Sequence, residues 1–251
     1  MYRYLIFVIS LAYNIFGVNE IVDTIISGMD TTLTFTRYYY NNQIKNISQY
    51  TNWRLDGKQC EYYESGKIKK VSYYKLDCPQ DSVVEWFENG KVSLIGYYND
   101  CKENGLTIKY SEQGDTLSLL GYVKGLPVGS HFTKYRNGQI AYNCNYNTNG
   151  KKHGLCETWR EDGTRKDSTV YRNDTIVEER EYFTSGKVRQ WFKNCQNAHF
   201  DEAYFYHPNG KSAGKVLKGN GIVTGYTETA DRKFTDRYEN GKLVESREIK
   251  K

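Results

Sequence analysis

Apolar residues along this chain come in short runs, and each run is cut by a turn signal before it could fill a helix. No window sustains a period of about 3.6 residues free of glycine, so strands are expected throughout and helices nowhere. The turn signal itself repeats. Tyr62-Tyr63-Glu64-Ser65-Gly66-Lys67, Trp86-Phe87-Glu88-Asn89-Gly90-Lys91 and Tyr182-Phe183-Thr184-Ser185-Gly186-Lys187 read as a strand end, a tight turn and the next strand. At Asn89-Gly90 the residue pair predicts a type I′ turn, whose two central residues both need positive φ.

With the turn glycine as a phase marker, the signal falls at Gly66, Gly90, Gly114, Gly138, Gly163, Gly186 and Gly210, at spacings of 24, 24, 24, 25, 23 and 24 residues. A further step back lands on Asn42, which tolerates a left-handed backbone, and a shorter step forward lands on Ala230, an eroded last copy. Four residues before the markers stand Tyr38, Tyr62, Trp86, Tyr110, Lys134, Trp159, Tyr182, Tyr206 and Tyr226, aromatic except for the lysine. Eight residues after them stand Tyr50, Tyr74, Tyr98, Tyr122, Tyr146, Tyr171, Asn194, Lys218 and Tyr238. Aliphatics follow two residues after many markers, at Ile44, Ile68, Val92, Ile140 and Val188. A second turn falls between markers, read at Asn149-Gly150, Lys124-Gly125 through Gly129, Asn104-Gly105 and Asn240-Gly241.

Two turns in about 24 residues leave two strands of ordinary length. The predicted fold is all-β: an elongated antiparallel β-hairpin repeat, a solenoid-like single twisted sheet in which each hairpin leans on its neighbours. Residues 37–251 form this repeat domain, and residues 18–36 form a leading strand or cap. Residues 1–17 differ. Arg3 precedes the apolar run Leu5 to Phe16, the form of a secretory signal peptide, with Gly17 near a poor cleavage site and Ile15 where a small residue is expected. The alternative is a first strand of the fold. The run is too short to span a bilayer, so no transmembrane segment is expected beyond the leader.

Composition fits strands, with 24 Tyr, 10 Phe and 4 Trp. The net charge of +5 is spread in mixed-sign pairs, apart from Lys69-Lys70 and Lys250-Lys251, which argues against a nucleic-acid partner.

The aromatic-aromatic-x-Asn-Gly-Lys sentence, with Asn149-Gly150-Lys151-Lys152-His153-Gly154, resembles the MORN repeat and especially its bacterial variant in YwqK-type proteins, described as antitoxins. The resemblance spans about residues 37–245 and implies successive β-hairpins that serve as an interaction surface with no active site. The apparent leader departs from a cytoplasmic antitoxin and leaves an exported, immunity-like protein open.

The chain has six cysteines, more than a cytosolic repeat needs. Cys144 and Cys156 lie equidistant from Gly150 and are the leading disulfide candidate; Cys78 and Cys101, near the same phase of consecutive units, are a weaker one. Unpaired cysteines are the alternative for the whole set. Cys195 with His199 and His207, and His153 with Cys156, make incomplete metal sets, so no metal or other cofactor is expected. Gly219 to Gly225 lacks the helix that a phosphate loop needs and reads as a repeat turn. Acidic pairs such as Glu178-Glu179 look exposed and outside any pocket, so no catalytic dyad is expected.

The function expected is a non-catalytic scaffold that docks a protein partner, secreted, periplasmic or at the cell envelope. The off-pattern Lys134 is a place to look for function, drift in one copy being the plainer reading. The alternative is a carbohydrate or cell-envelope module that holds its ligand between aromatic rings. Against it, only Trp53, Trp86, Trp159 and Trp191 are available, and two of them share a phase. Phospholipid binding would need an apolar or basic face that the sequence does not reveal.

Overall fold

The computed structural model describes residues 7–15, 18–27, 30–195 and 199–249. Within them every regular element is a β-strand. The chain divides into two compact units, Met1–Leu126 and Pro127–Lys251.

The first unit runs β1 (Phe7–Ile15), β2 (Val18–Ser27), β3 (Asp30–Tyr38), β4 (Ile44–Thr51), β5 (Arg54–Tyr62), β6 (Ile68–Lys75), β7 (Cys78–Trp86), β8 (Val92–Asn99), β9 (Lys102–Glu103), β10 (Gly105–Tyr110) and β11 (Thr116–Val123). Each pairs antiparallel with the next in chain order, except that β8 holds both β10 and the short β9. The result is an open meander. Most of the apolar leader forms β1; its ends at residues 1–6 and 16–17, with the expected cleavage position at Gly17, lie outside the described residues.

After β12 (Leu126–Pro127), the second unit repeats the meander with β13 (Gly129–Lys134), β14 (Ile140–Tyr146), β15 (Gly154–Trp159), β16 (Arg165–Arg172), β17 (Thr175–Tyr182), β18 (Val188–Lys193), β19 (Glu202–Tyr206) and β20 (Ser212–Leu217). The last strands, β21 (Gly221–Tyr226), β22 (Lys233–Glu239) and β23 (Lys242–Glu248), form a separate three-stranded sheet. The hairpin-repeat sheet is therefore the architecture of both units, and the chain leaves it only at the C-terminal end.

All nine markers have positive φ, from 63° at Asn42 and Ala230 to 102° at Gly114. Each donates its N–H to the carbonyl three residues earlier, as Gly90 does to Phe87 at 2.9 Å. The type I′ expectation at this turn is corrected. Of Asn89 and Gly90 only the glycine has positive φ, at 87°. The loop is a type I turn closed by a left-handed residue, and the ladder slips by one place between Glu85 and Trp86, the bulge that such a three-residue loop forms. Asn89 contributes in another way: its Oδ1 accepts the N–H of Lys91 at 2.9 Å.

Two successive positive-φ residues, the type I′ signature, sit at the second turns instead. They are Asn52-Trp53, Leu76-Asp77, Asp100-Cys101, Lys124-Gly125, Asn173-Asp174, Lys218-Gly219 and Asn240-Gly241. Asn104-Gly105, read from sequence as a second turn, is displaced: the turn is Asp100-Cys101, and Gly105 opens β10. At Asn149-Gly150 the chain uses marker geometry, with the Gly150 N–H on the Asn147 carbonyl.

The buried cluster of the second unit joins Ala203 and Phe205 of β19 and Val216 of β20 to Phe200, Val223 of β21 and Tyr238 of β22, with Phe192 packed against it. The second sheet reaches this face because Gly214 has no side chain. A Cβ there would lie 3.0 Å from Val223 Cγ1, close enough that the Val223 side chain would have to give by a few tenths of an ångström.

Candidate functional site

The repeated residues are mostly consumed in holding neighbouring units together. The expected aromatics Tyr38, Tyr62, Trp86, Tyr110, Trp159, Tyr182, Tyr206 and Tyr226 all close the strand before a marker turn, and Lys134 closes β13 in the same place. The residue after each ring matters more than sequence reading recognised. Tyr39 Oη donates to the Tyr62 carbonyl at 2.8 Å, Tyr63 Oη to that of Trp86 at 2.7 Å, and Tyr135 Oη to that of Trp159 at 2.7 Å. Arg160 replaces the tyrosine one repeat on, and its guanidinium donates to the Tyr182 carbonyl at 2.9 Å. Motif lysines do the same job along the turn edge: Lys67 Nζ reaches the Glu88 carbonyl, Lys91 that of Gln113 and Lys187 that of Asn209. Each such bond contributes about 1 kcal/mol and fixes the register of one hairpin on the next.

Residues 55–76 match the MORN repeat variant family. The marker turn inside that stretch, at Gly66, recurs at the other markers along both units. No curated protein matches the chain. Among solved structures a porin-like protein from Bacteroides uniformis is similar at 10% identity, over 90% of this chain and 96% of that one, with a TM-score of 0.18. A likeness that low carries no argument about fold or function.

With the MORN motif positions accounted for, the remaining periodic positions stand out. In the first unit the pairing register places Ile47, Cys60, Val71, Val84, Ile95, Ile108 and Leu119 directly opposite one another, strand after strand. Directly opposed residues share a face, so these make an aliphatic row across the sheet. Cys60 and Val71 are buried within it and the others half-buried. Tyr62 stands beside Cys60, and burial first, then the thiol, raises its phenol above the usual range. Three residues beyond the row, Tyr74, Tyr98 and Tyr122 alternate to the opposite face. The row was legible at a spacing of 24 residues, in Ile47, Val71, Ile95 and Leu119, had that phase been indexed.

The same pairing positions in the second unit are polar, charged or aromatic, with no aliphatic among them: Asn143, Glu157, Ser168, Arg180, Trp191, Tyr204 and Lys215. Arg180 and Lys193 lie over the Trp191 ring, 4.4 and 3.9 Å from its centroid, and Trp191 Nε1 donates to Glu178 Oε1 at 2.9 Å. Lys134, off the motif, sets its ammonium over the Phe132 ring.

Cys144 is joined to Cys156, with Cα atoms 4.1 Å apart, and Cys78 to Cys101, at 4.7 Å. The first pair is cross-strand between β14 and β15, beside the Tyr142–Tyr146 hydroxyl pair at 3.2 Å. Burial and that hydrogen bond raise the Tyr142 phenol. Cys60 and Cys195 are free thiols.

Cys195 and His199 line a cleft together. Among the described residues no group of three or more His, Cys, Asp or Glu stands close enough to hold an ion. Burial, then Glu179, Glu178 and Asp201, push the Cys195 thiol up to about 11, so it is no thiolate nucleophile at neutral pH. His207 lies elsewhere, its Nδ1 2.6 Å from the Tyr226 hydroxyl. The expectation that Glu178-Glu179 stands outside any pocket is corrected for the second residue. Successive strand residues alternate faces, so Glu178 meets Trp191 while Glu179 is half-buried in the cleft wall.

Proposed function

We propose that this chain is an exported, non-catalytic binding scaffold that holds a protein partner against the aliphatic row of its first unit. One observation carries the proposal. The motif residues are consumed by bonds between repeats, whereas the row from Ile47 to Leu119 is apolar and periodic, and half-buried except at the buried Cys60 and Val71. Trp53 supports it. This residue is 76% exposed in a left-handed turn position, φ 67°, where asparagine or glycine would sit without strain. Exposed tryptophan is typical of interface anchors.

Export is supported by the leader and by two cysteine pairs placed for disulfides, which persist in oxidising compartments. An immunity-like role outside the cytoplasm suits both features better than a cytoplasmic antitoxin. The glycan alternative is disfavoured by Trp191, whose ring already carries two cations and has little face left for a sugar.

A photo-reactive side chain placed in cells at Ile95 or Ile108, against Tyr98 on the other face as control, tests the proposal. The expected outcome is one protein cross-linked from the row positions and none from the control. Retention on glycan or peptidoglycan arrays, with no protein cross-link, would replace it with the envelope-binding reading.

A further inference from the structure

The second unit contains a cleft of about 870 Å³ between the β17–β18 end of its meander and the three-stranded sheet. That volume falls in the range of small-molecule pockets, roughly 300–1,000 Å³. Its apolar wall is continuous with the core. Phe192 and Phe200 pack with ring centroids 4.8 Å apart, Phe200 and Tyr238 at 5.3 Å, and Ile176 and Leu243 add aliphatic surface.

One charged group in this wall has no structural partner. On β17, Glu178 receives Trp191 Nε1 and pairs with Arg180, and Glu181 pairs with Arg189. Between them Glu179 stands opposite Thr169 on one side and Phe192 on the other, neither of which can neutralise it. Among the described residues its carboxylate accepts no hydrogen bond and forms no ion pair within 4 Å, although a smaller pocket on its other side places Lys166 and Arg189 near it together with Asp167, Glu181 and Glu228. Burial, then the charges of Glu181 and Asp167, raise its carboxyl above the usual range. A half-buried charge without a partner lowers stability, and proteins keep such groups chiefly where a ligand completes them.

The rest of the lining defines the ligand's charge. Asp174 adds a second carboxylate, although its Oδ1 is taken by the Lys152 N–H. The Cys195 thiol is neutral at ordinary pH. His199 is occupied through Nδ1 by the Asn240 carbonyl at 2.6 Å, and Lys242 is the one basic side chain, on the exposed rim. The inner wall of the cleft is thus largely apolar, with the Glu179 carboxylate as its one acidic group that is not on the exposed rim.

We propose that this cleft binds a small organic cation, with a primary ammonium or guanidinium on Glu179 and an aromatic or aliphatic body against Phe192, Phe200 and Tyr238. The neighbouring rings add cation–π attraction to the ion pair. This site is separate from the row of the first unit, so either proposal fails without the other.

The test is calorimetric titration of the full chain with phenethylamine and benzamidine, against phenethyl alcohol and 3-phenylpropionate as neutral and anionic isosteres. The expected result is binding of both cations, about tenfold or more tighter than the isosteres. Glu179→Gln removes that preference while keeping the weak affinity for the neutral alcohol. Thr175→Trp, at the exposed mouth, fills the cleft without touching the core and abolishes all binding. Equal affinity for cation and alcohol overturns the proposal, as does Glu179→Gln binding that matches the parent, or no binding by either cation. A lysine-containing peptide that binds more tightly than the free amines also overturns it, in favour of a partner's side chain.

Discussion

The two units are made from one repeat, yet they stabilise it in different ways. In the first, the described buried apolar side chains are Leu33, Cys60 and Val71, and most other apolar residues on its strands are half-buried. In the second, Phe205, Val216 and Ala203 are almost wholly enclosed, because β21–β23 covers the meander face that carries them. The repeat supplies a backbone ladder and two stitched turn edges in both cases. It does not by itself supply a core. A core requires a second layer, and among the described residues only the second unit shows one from its own chain. The aliphatic row of the first unit, from Ile47 to Leu119, is only partly covered by its own chain.

Four sets of substitutions would break or sharpen this comparison. The largest effect is expected at Phe205, 2% exposed in the layered core. Phe205→Ala should lower the stability of the second unit by about 3–5 kcal/mol in urea unfolding. Ile95→Ala in the half-buried row should lose well under half as much, and equal losses would show that the units are stabilised alike. Next come the cysteines. Cys144→Ser with Cys156→Ser should cost the second unit about 3 kcal/mol under oxidising conditions and nothing under reducing ones. A parent chain whose midpoint ignores reductant would show that the pair is not bonded.

The edge ladder should contribute equally in both units. Tyr63→Phe removes a hydroxyl bonded to the Trp86 carbonyl at 2.7 Å, and Tyr135→Phe its counterpart on Trp159. Each should cost about 1 kcal/mol. Phe87 occupies the same phase without a hydroxyl, so Phe87→Tyr should recover a similar amount. Unequal costs would tie the ladder to one unit's surroundings rather than to the repeat.

The smallest effect is the most diagnostic of the cleft. Burial and the facing carboxylates Glu181 and Asp167 raise the Glu179 carboxyl, so the folded state holds its proton more tightly than the unfolded state. Stability from this group is therefore full at acid pH and is lost as pH rises through the raised value. Asp174, Cys195, His199 and Lys242 border the cleft, and Lys166, Asp167, Glu181, Arg189 and Glu228 face Glu179 from its other side; Glu179→Gln leaves all of them unchanged. That variant should melt higher than the parent at neutral pH and level with it below the ordinary carboxylate range. A difference independent of pH would place the effect elsewhere.

Much of the scaffold was legible because it is local. A turn is made by a few consecutive residues, and each marker glycine was placed by its own neighbours. Turn type was read less well. Asn-Gly suits a type I′ turn in isolation, but the chain uses the Asn89 side chain to close a type I turn and puts type I′ geometry on unpromising pairs such as Leu76-Asp77 and Asn52-Trp53. There the twist of the flanking strands outweighs residue preference.

Periodicity alone determined that the chain is a β-hairpin repeat, where its marker turns fall, and which rings end its strands, because those features depend on spacing of a few residues and on side-chain alternation. Tertiary structure decided which face is covered. The fold-over of β21–β23 rests on the missing side chain of Gly214 beneath Val223, and the isolation of Glu179 rests on strands that bring Phe192 and Tyr238 to its cleft. Both arise from contacts between residues remote in sequence, where burial depends on what a second layer brings to a position rather than on the repeat that placed it.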